Sequence, residues 1–162
     1  MKSSRITIAA VTLVLAAPTI ANAAELEADR FYAGGGISTN DLHGEDSTGA
    51  QVFVGYELPF SLGQADTALE VGYQDAGDFD RPRRGFRGDE NISGLWTTGV
   101  ASLPVADNVD LVGRFGADFG DDDGLMAGGG VGIDLAPRVQ LRGEYVIRDL
   151  TESLQANVLY RF

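Results

Sequence analysis

From Val109 onward the chain alternates apolar and polar side chains with a period of two, and no other feature restricts its fold as strongly. Val109, Leu111, Gly113, Phe115, Ala117 and Phe119 alternate with Asp110, Val112, Arg114, Gly116 and Asp118. The same rhythm returns over 125–135, 139–148 and 154–162, where Val139, Leu141, Gly143, Tyr145 and Ile147 interleave with Gln140, Arg142, Glu144, Val146 and Arg148. Period two is the signature of a strand with two unlike faces. Each run is about 9–11 residues long, which is what a tilted strand needs to cross a bilayer. Gly, Pro, Asn and Asp punctuate the runs.

The face that carries the charges decides between a soluble sheet and a membrane barrel. One set of alternate positions is uniformly apolar or small. The other holds Glu70, Asp110, Arg114, Asp118, Asp134, Arg142, Glu144, Arg148 and Arg161. A soluble eight-stranded barrel turns its apolar face inward, but a lumen of that size is only just wide enough for side chains. So many bulky apolar groups do not fit inside it, whereas a lipid-facing surface accommodates them. Four further runs, Arg30–Thr39, Gly49–Leu58, Thr67–Asp75 and Asn91–Leu103, bring the expected number of strands to eight. In the fourth, either Trp96 or its neighbours Leu95 and Thr97 face outward. The expected fold is therefore all-β: an eight-stranded antiparallel up-and-down transmembrane β-barrel. A soluble sandwich or lipocalin-like barrel is the alternative.

The connections support the barrel reading. Pro59–Asp66, Pro104–Asn108 and Ala136-Pro137 are compact, while Thr39–Thr48 and Gln74–Glu90 are longer and charged; Asp121–Gly124 and Asp149–Glu152 are short. Short periplasmic turns and longer external loops are usual for such barrels, so both termini are expected on the periplasmic side. Lys2 and Arg5 precede an uncharged apolar run, Ile6–Ala17; Pro18 follows, then Ala21-Asn22-Ala23. That order is a secretory signal with its cleavage site. Residues 1–23 are expected to be removed, leaving 24–162 as one barrel domain in the bacterial outer membrane. The chain has no cysteine, so disulfides and thiol chemistry are excluded. Loss of Lys2 and Arg5 leaves 12 − 2 = 10 basic residues against 24 acidic ones, a formal charge of −14. Such a surface argues against nucleic acid as a partner.

Segments such as Phe31-Tyr32-Ala33-Gly34, Val54-Gly55-Tyr56, Leu69-Glu70-Val71-Gly72-Tyr73, Gly113-Arg114-Phe115-Gly116, Arg142-Gly143-Glu144-Tyr145 and the final Leu159-Tyr160-Arg161-Phe162 follow one another at barrel spacing. In order and spacing the chain resembles the OmpA-type transmembrane barrel family over nearly all of Arg30–Phe162. The resemblance implies that Glu70 and Arg142 form an acid–base pair inside the lumen. It also implies that Tyr160 and Phe162 are an assembly signal for the outer-membrane assembly machinery. No peptidoglycan-binding domain is expected beside the barrel, and no wall-tethering role is expected of it.

Candidate chemistry is confined to a few residues. Arg114, Glu144 and Arg148 share the inward parity of Glu70 and Arg142, and buried charges must pair, since an unpaired one costs several kcal/mol. These five are expected to form a lumen charge network. Arg81, Arg83, Arg84 and Arg87 surround Phe86 in one connection. Guanidinium groups suit phosphates, so lipopolysaccharide is a candidate partner there, with pairing to neighbouring acids as the plainer account. His43, with Asp41, Asp46 and Ser47 nearby, shows no nucleophile motif. Acidic runs such as Asp121-Asp122-Asp123 lack an EF-hand pattern, and neither metal nor other cofactor is expected. The expected function is structural and not enzymatic: a monomeric barrel in outer-membrane lipid that supports envelope integrity, with at most a very narrow small-solute pore. The alternatives are a lipid-modifying enzyme around His43 and a surface binding module acting through Gln74–Glu90.

Overall fold

The computed structural model describes residues 26–42, 45–79, 90–120, 124–149 and 151–162. After a 3-10 turn at Ala28–Arg30 come β1 (Phe31–Leu42), β2 (Glu45–Leu62), β3 (Ala65–Phe79), β4 (Glu90–Ala106), β5 (Val109–Gly120), β6 (Gly124–Ala136), β7 (Val139–Ile147) and β8 (Glu152–Arg161). Each strand pairs antiparallel with the next, and β1 pairs with β8 to close the barrel. Closure leaves no edge strand, so the backbone polar groups of the wall are satisfied within it.

The register sets the barrel's dimensions. A lateral row that starts at Phe31 passes Tyr56, Leu69, Gly99, Phe115, Ala127, Ile147 and Glu152, then re-enters β1 at Asp41. The shift is 41 − 31 = 10 residues over eight strands. With about 3.3 Å per residue and about 4.8 Å between strands, the strands tilt by about 41° and the backbone radius is about 8 Å.

The apolar face is outside. Ile37, Leu69, Phe115, Leu125, Leu154 and Val158 are between 49% and 67% exposed, and no outward position from Val109 to Phe119, Leu125 to Leu135, Val139 to Ile147 or Leu154 to Phe162 is charged. A continuous uncharged belt of this extent is a membrane surface. The soluble alternative would need the opposite arrangement and is excluded. In β4 the phase is settled: Trp96 is fully buried in the lumen while Leu95 faces outward.

Strand ends differ from the sequence expectation in one consistent way. The β1–β2 ladder continues to Leu42↔Glu45, and the β3–β4 ladder to Phe79↔Glu90, well into segments expected to be loops. Apolar alternation is needed only where one face meets lipid; beyond the belt both faces are wet, and the ladder continues without that signal. At the opposite end the hairpins close through two-residue turns at Gly63-Gln64, Asp107-Asn108 and Pro137-Arg138. Irregular pairing flanks each, between Glu57 and Ser61, Pro104 and Ala106, and Asp134 and Ala136. Pro59 and Pro104 fall in these interruptions, where a missing N–H is tolerated. Gly63 has φ 67°, a left-handed conformation that suits glycine.

The lumen is filled by large side chains set directly opposite glycines. Tyr32 pairs with Gly55, Phe53 with both Gly34 and Gly72, Trp96 with Gly72, and Val146 with Gly128. A Cβ at Gly72 would lie 2.4 Å from Trp96 Cζ2, and one at Gly55 would lie 2.1 Å from Tyr32 Cζ. Outward Gly113 has open space around the same position. Gly72→Ala is therefore expected to cost about 1–3 kcal/mol by overpacking, and Gly113→Ala to change stability little. Urea unfolding of the refolded barrel in lipid checks this, and equal effects at the two sites would contradict the packing.

Candidate functional site

Four charged side chains meet inside the barrel. Glu70 projects from β3, Arg114 from β5, and Arg142 and Glu144 from alternate positions of β7. Glu70 Oε1 lies 2.8 Å from Arg142 Nη2, and its other oxygen contacts Arg114 Nη2. Glu144 completes a ring, with Oε1 3.1 Å from Arg114 Nε and Oε2 3.0 Å from Arg142 Nε. Each acid touches both guanidiniums and the sum of charges is zero. β3 and β7 are not neighbours in the sheet; their side chains meet because the lumen is narrow.

The surroundings explain how four ions tolerate a dry site in which every one is at most 4% exposed. The Tyr32 hydroxyl donates to Glu70 Oε1 at 2.7 Å, and Asn157 Nδ2 donates to Glu144 Oε2 at 3.3 Å. The Arg114 guanidinium lies 5.1 Å from the Trp96 ring centre, and that of Arg142 lies 5.3 Å from the Phe53 ring centre. Such desolvated cation–π contacts are each worth up to about 2 kcal/mol. The Nε contacts to Glu144 act as charge pairs without hydrogen-bond alignment.

Arg148 was expected in this network, but the structure places it in a second one. Its Nε donates to Asp118 Oδ2 at 2.9 Å and its Nη1 to Ser153 Oγ at 2.8 Å, while Nη2 donates to Gln74 Oε1. Ser153 in turn donates to Asn40 Oδ1 at 2.6 Å, and Asn40 Nδ2 donates to the Ala76 carbonyl at 2.9 Å. The reason is axial distance. Each residue along a tilted strand rises about 2.5 Å along the barrel axis, which puts Arg148 and Asp118 about 12 Å from the quartet.

The inward charges Asp110, Asp134 and Arg161 sit at the end of the barrel that carries the termini. Arg161 pairs with Asp134 at 3.2 Å and Glu57 at 3.4 Å, and Gln140 Nε2 donates to Asp110 and Asp134, both at 3.0 Å. A cavity of about 80 Å³ opens there between Tyr32, Glu57, Asp66 and Arg161. Tyr160 faces outward and meets the Phe162 ring edge-on, with centroids 5.6 Å apart. Arg81, Arg83, Arg84, Arg87, His43 and Asp121-Asp122-Asp123 lie outside the described residues.

Sequence reasoning missed the roles of Tyr32, Phe53 and Trp96 in holding the quartet. The signal is a glycine opposite each ring, which is readable only once the register is known. The quartet itself contains no hydroxyl or thiol, and the Tyr32 proton next to it is committed to Glu70.

The quartet has a thermodynamic consequence. Glu70→Ala leaves two guanidiniums facing one acid and is expected to cost about 3–5 kcal/mol. Glu70→Ala with Arg142→Ala leaves Arg114 and Glu144 paired and is expected to cost less. A double-mutant cycle on the refolded barrel measures the coupling, and a value near zero would show that the two side chains do not interact.

The sequence model of a family described as outer membrane protein beta-barrel domain matches residues 7–162. No curated protein matches the chain. Among solved structures, a de novo designed transmembrane β-barrel is similar at TM-score 0.56 and 16% identity, covering 84% of this chain and 98% of the designed one. Ail of Yersinia pestis in a phospholipid bilayer nanodisc is similar at TM-score 0.54 and 15% identity, covering 82% and 98%. The crystal structure of the same attachment invasion locus protein gives TM-score 0.52 and 16% identity, covering 82% and 96%.

Proposed function

Because the chain belongs to the outer membrane protein β-barrel domain family, whose setting is the bacterial outer membrane, we propose that it is a structural barrel that supports envelope integrity. The observation that carries this reading is the filled lumen, in which the neutral quartet of Glu70, Arg114, Arg142 and Glu144 spans from β3 to β7. General porins reach an aqueous channel with about 16 strands; eight leave room only for side chains. Any ion that passed would have to displace a paired group in a dry site. Permeation is thus at most a trickle of small solutes, and no reaction is assigned to the barrel.

The proposed orientation puts both termini in the periplasm, with the two-residue turns on that side and the extended β1–β2 and β3–β4 hairpins outside. A cleaved signal over residues 1–23 and a monomeric barrel complete the proposal. Outer-membrane lipid is the surrounding partner. Arg81, Arg83, Arg84 and Arg87, which follow β3 in sequence, would meet lipopolysaccharide phosphates.

Two measurements test this reading. The purified wild-type barrel is expected to be nearly silent in planar bilayers, and conductance on the scale of a 16-stranded porin would overturn the structural role. A strain lacking the protein is expected to gain detergent sensitivity, with rescue by wild type and by His43→Ala alike. Loss of rescue together with an altered lipid A profile in the His43 variant would instead favour the enzyme alternative.

A further inference from the structure

We propose that the lumen is sealed twice, and that the layer around Arg148 is a second closure, independent of the quartet. This rests on the reading of the lumen as a plug. The two layers share no ion pair among the described residues. The quartet joins β3, β5 and β7, whereas the Arg148 layer ties β3, β5 and β8 through Gln74, Asp118 and Ser153. Each layer reaches across the barrel at its own height along the axis, so either one obstructs the axis when the other is broken.

Between them lies a row of uncharged amides. Gln51 Nε2 donates to Asn157 Oδ1 at 2.7 Å and to Gln155 Oε1 at 2.8 Å. Asn157 reaches the quartet through Glu144, and Gln51 is the register partner of Gln74 in the Arg148 layer. Gln51 Oε1, Gln155 Nε2 and Trp96 Nε1 are buried with no protein partner. A small ion must pass both charged layers and the amides between them to cross. Two neutral closures in series also differ in what disturbs them. The Arg148 layer connects through Ser153 and Asn40 to the Ala76 carbonyl, which also accepts from Ser47. It is therefore tied to the strand ends that lead into the long connections, and the quartet is not.

The test compares four barrels in planar bilayers, each first checked for folding by heat-modifiability on gels. They are wild type; Arg142→Ala with Glu144→Ala; Asp118→Ala with Arg148→Ala; and all four substitutions together. Charges are removed in opposite pairs so that no uncompensated ion is left. Each paired variant is expected to stay within about twofold of wild-type conductance, and the fourfold variant to exceed it by at least about tenfold. A quartet variant that alone reaches the fourfold level would show that the Arg148 layer seals nothing. A folded fourfold variant that stays silent would show that neither layer is the seal. Because the chain has no cysteine, Gln51→Cys adds a second readout. A charged thiol reagent is expected to label it only when a flanking layer is truncated, and equal labelling with both layers intact would overturn the proposal. Conductance of the wild-type barrel tests the plug reading separately, so the two ideas can fail apart.

Discussion

The width of the lumen is the constraint on which the other features depend. A shift of ten residues over eight strands fixes a backbone radius of about 8 Å. Side chains from facing walls must then interpenetrate, so a large group on one strand requires an absent one on the next. That is why Tyr32, Phe53 and Trp96 sit against Gly55, Gly34 and Gly72. The same narrowness lets Glu70 reach Arg142 across strands that do not touch in the sheet. In a wider barrel these ions would be hydrated and their pairing weak; here water is largely excluded and each charge must find a protein partner.

Neutrality follows from that exclusion. The chain carries a formal charge of −12, yet the quartet sums to zero and Arg148 is matched by Asp118. The excess acid lies at the ends of the barrel, as with outward Asp41, Asp46 and Glu152 beside the long connections, where water screens it. Asp41 lies between Asp46 and Glu152 in the ladder, an opposition of like charges that a dry site would not tolerate. The protein thus holds a large negative charge without placing any net charge in the quartet or in the Arg148–Asp118 pair.

Legibility in the sequence follows the same physics. Strands β5 to β8 are readable because lipid on one side and a polar lumen on the other impose strict alternation; the run over 139–148 overshoots β7 (Val139–Ile147) by one residue. The outer ends of β1 to β4 are not, since water on both faces leaves no pattern. Trp96 was ambiguous for a different reason: a large ring suits either a lipid interface or a filled lumen, and only Gly72 opposite it decides. Inward parity correctly grouped Glu70, Arg114, Arg142 and Glu144 on one side of the wall. It could not separate Arg148 from them, because parity reports the face and not the height along the axis. Height requires the register of all eight strands, which no single segment contains.

The structural similarities bear on where this chain's individuality lies. A designed transmembrane barrel shares the fold at 16% identity, so the wall asks little of particular residues beyond alternation, turns and closure. Outward positions accept any apolar side chain, since lipid makes no shape demand comparable to a protein core. The lumen is different: replacing one glycine, or one member of an ion pair, disturbs partners on two or three strands at once. Whatever distinguishes one small barrel of this family from another is therefore concentrated inside it and at its water-exposed ends. For this chain the inside is two neutral ionic layers separated by a row of amides, which makes the interior, and not the membrane-facing wall, the part from which its behaviour has to be argued.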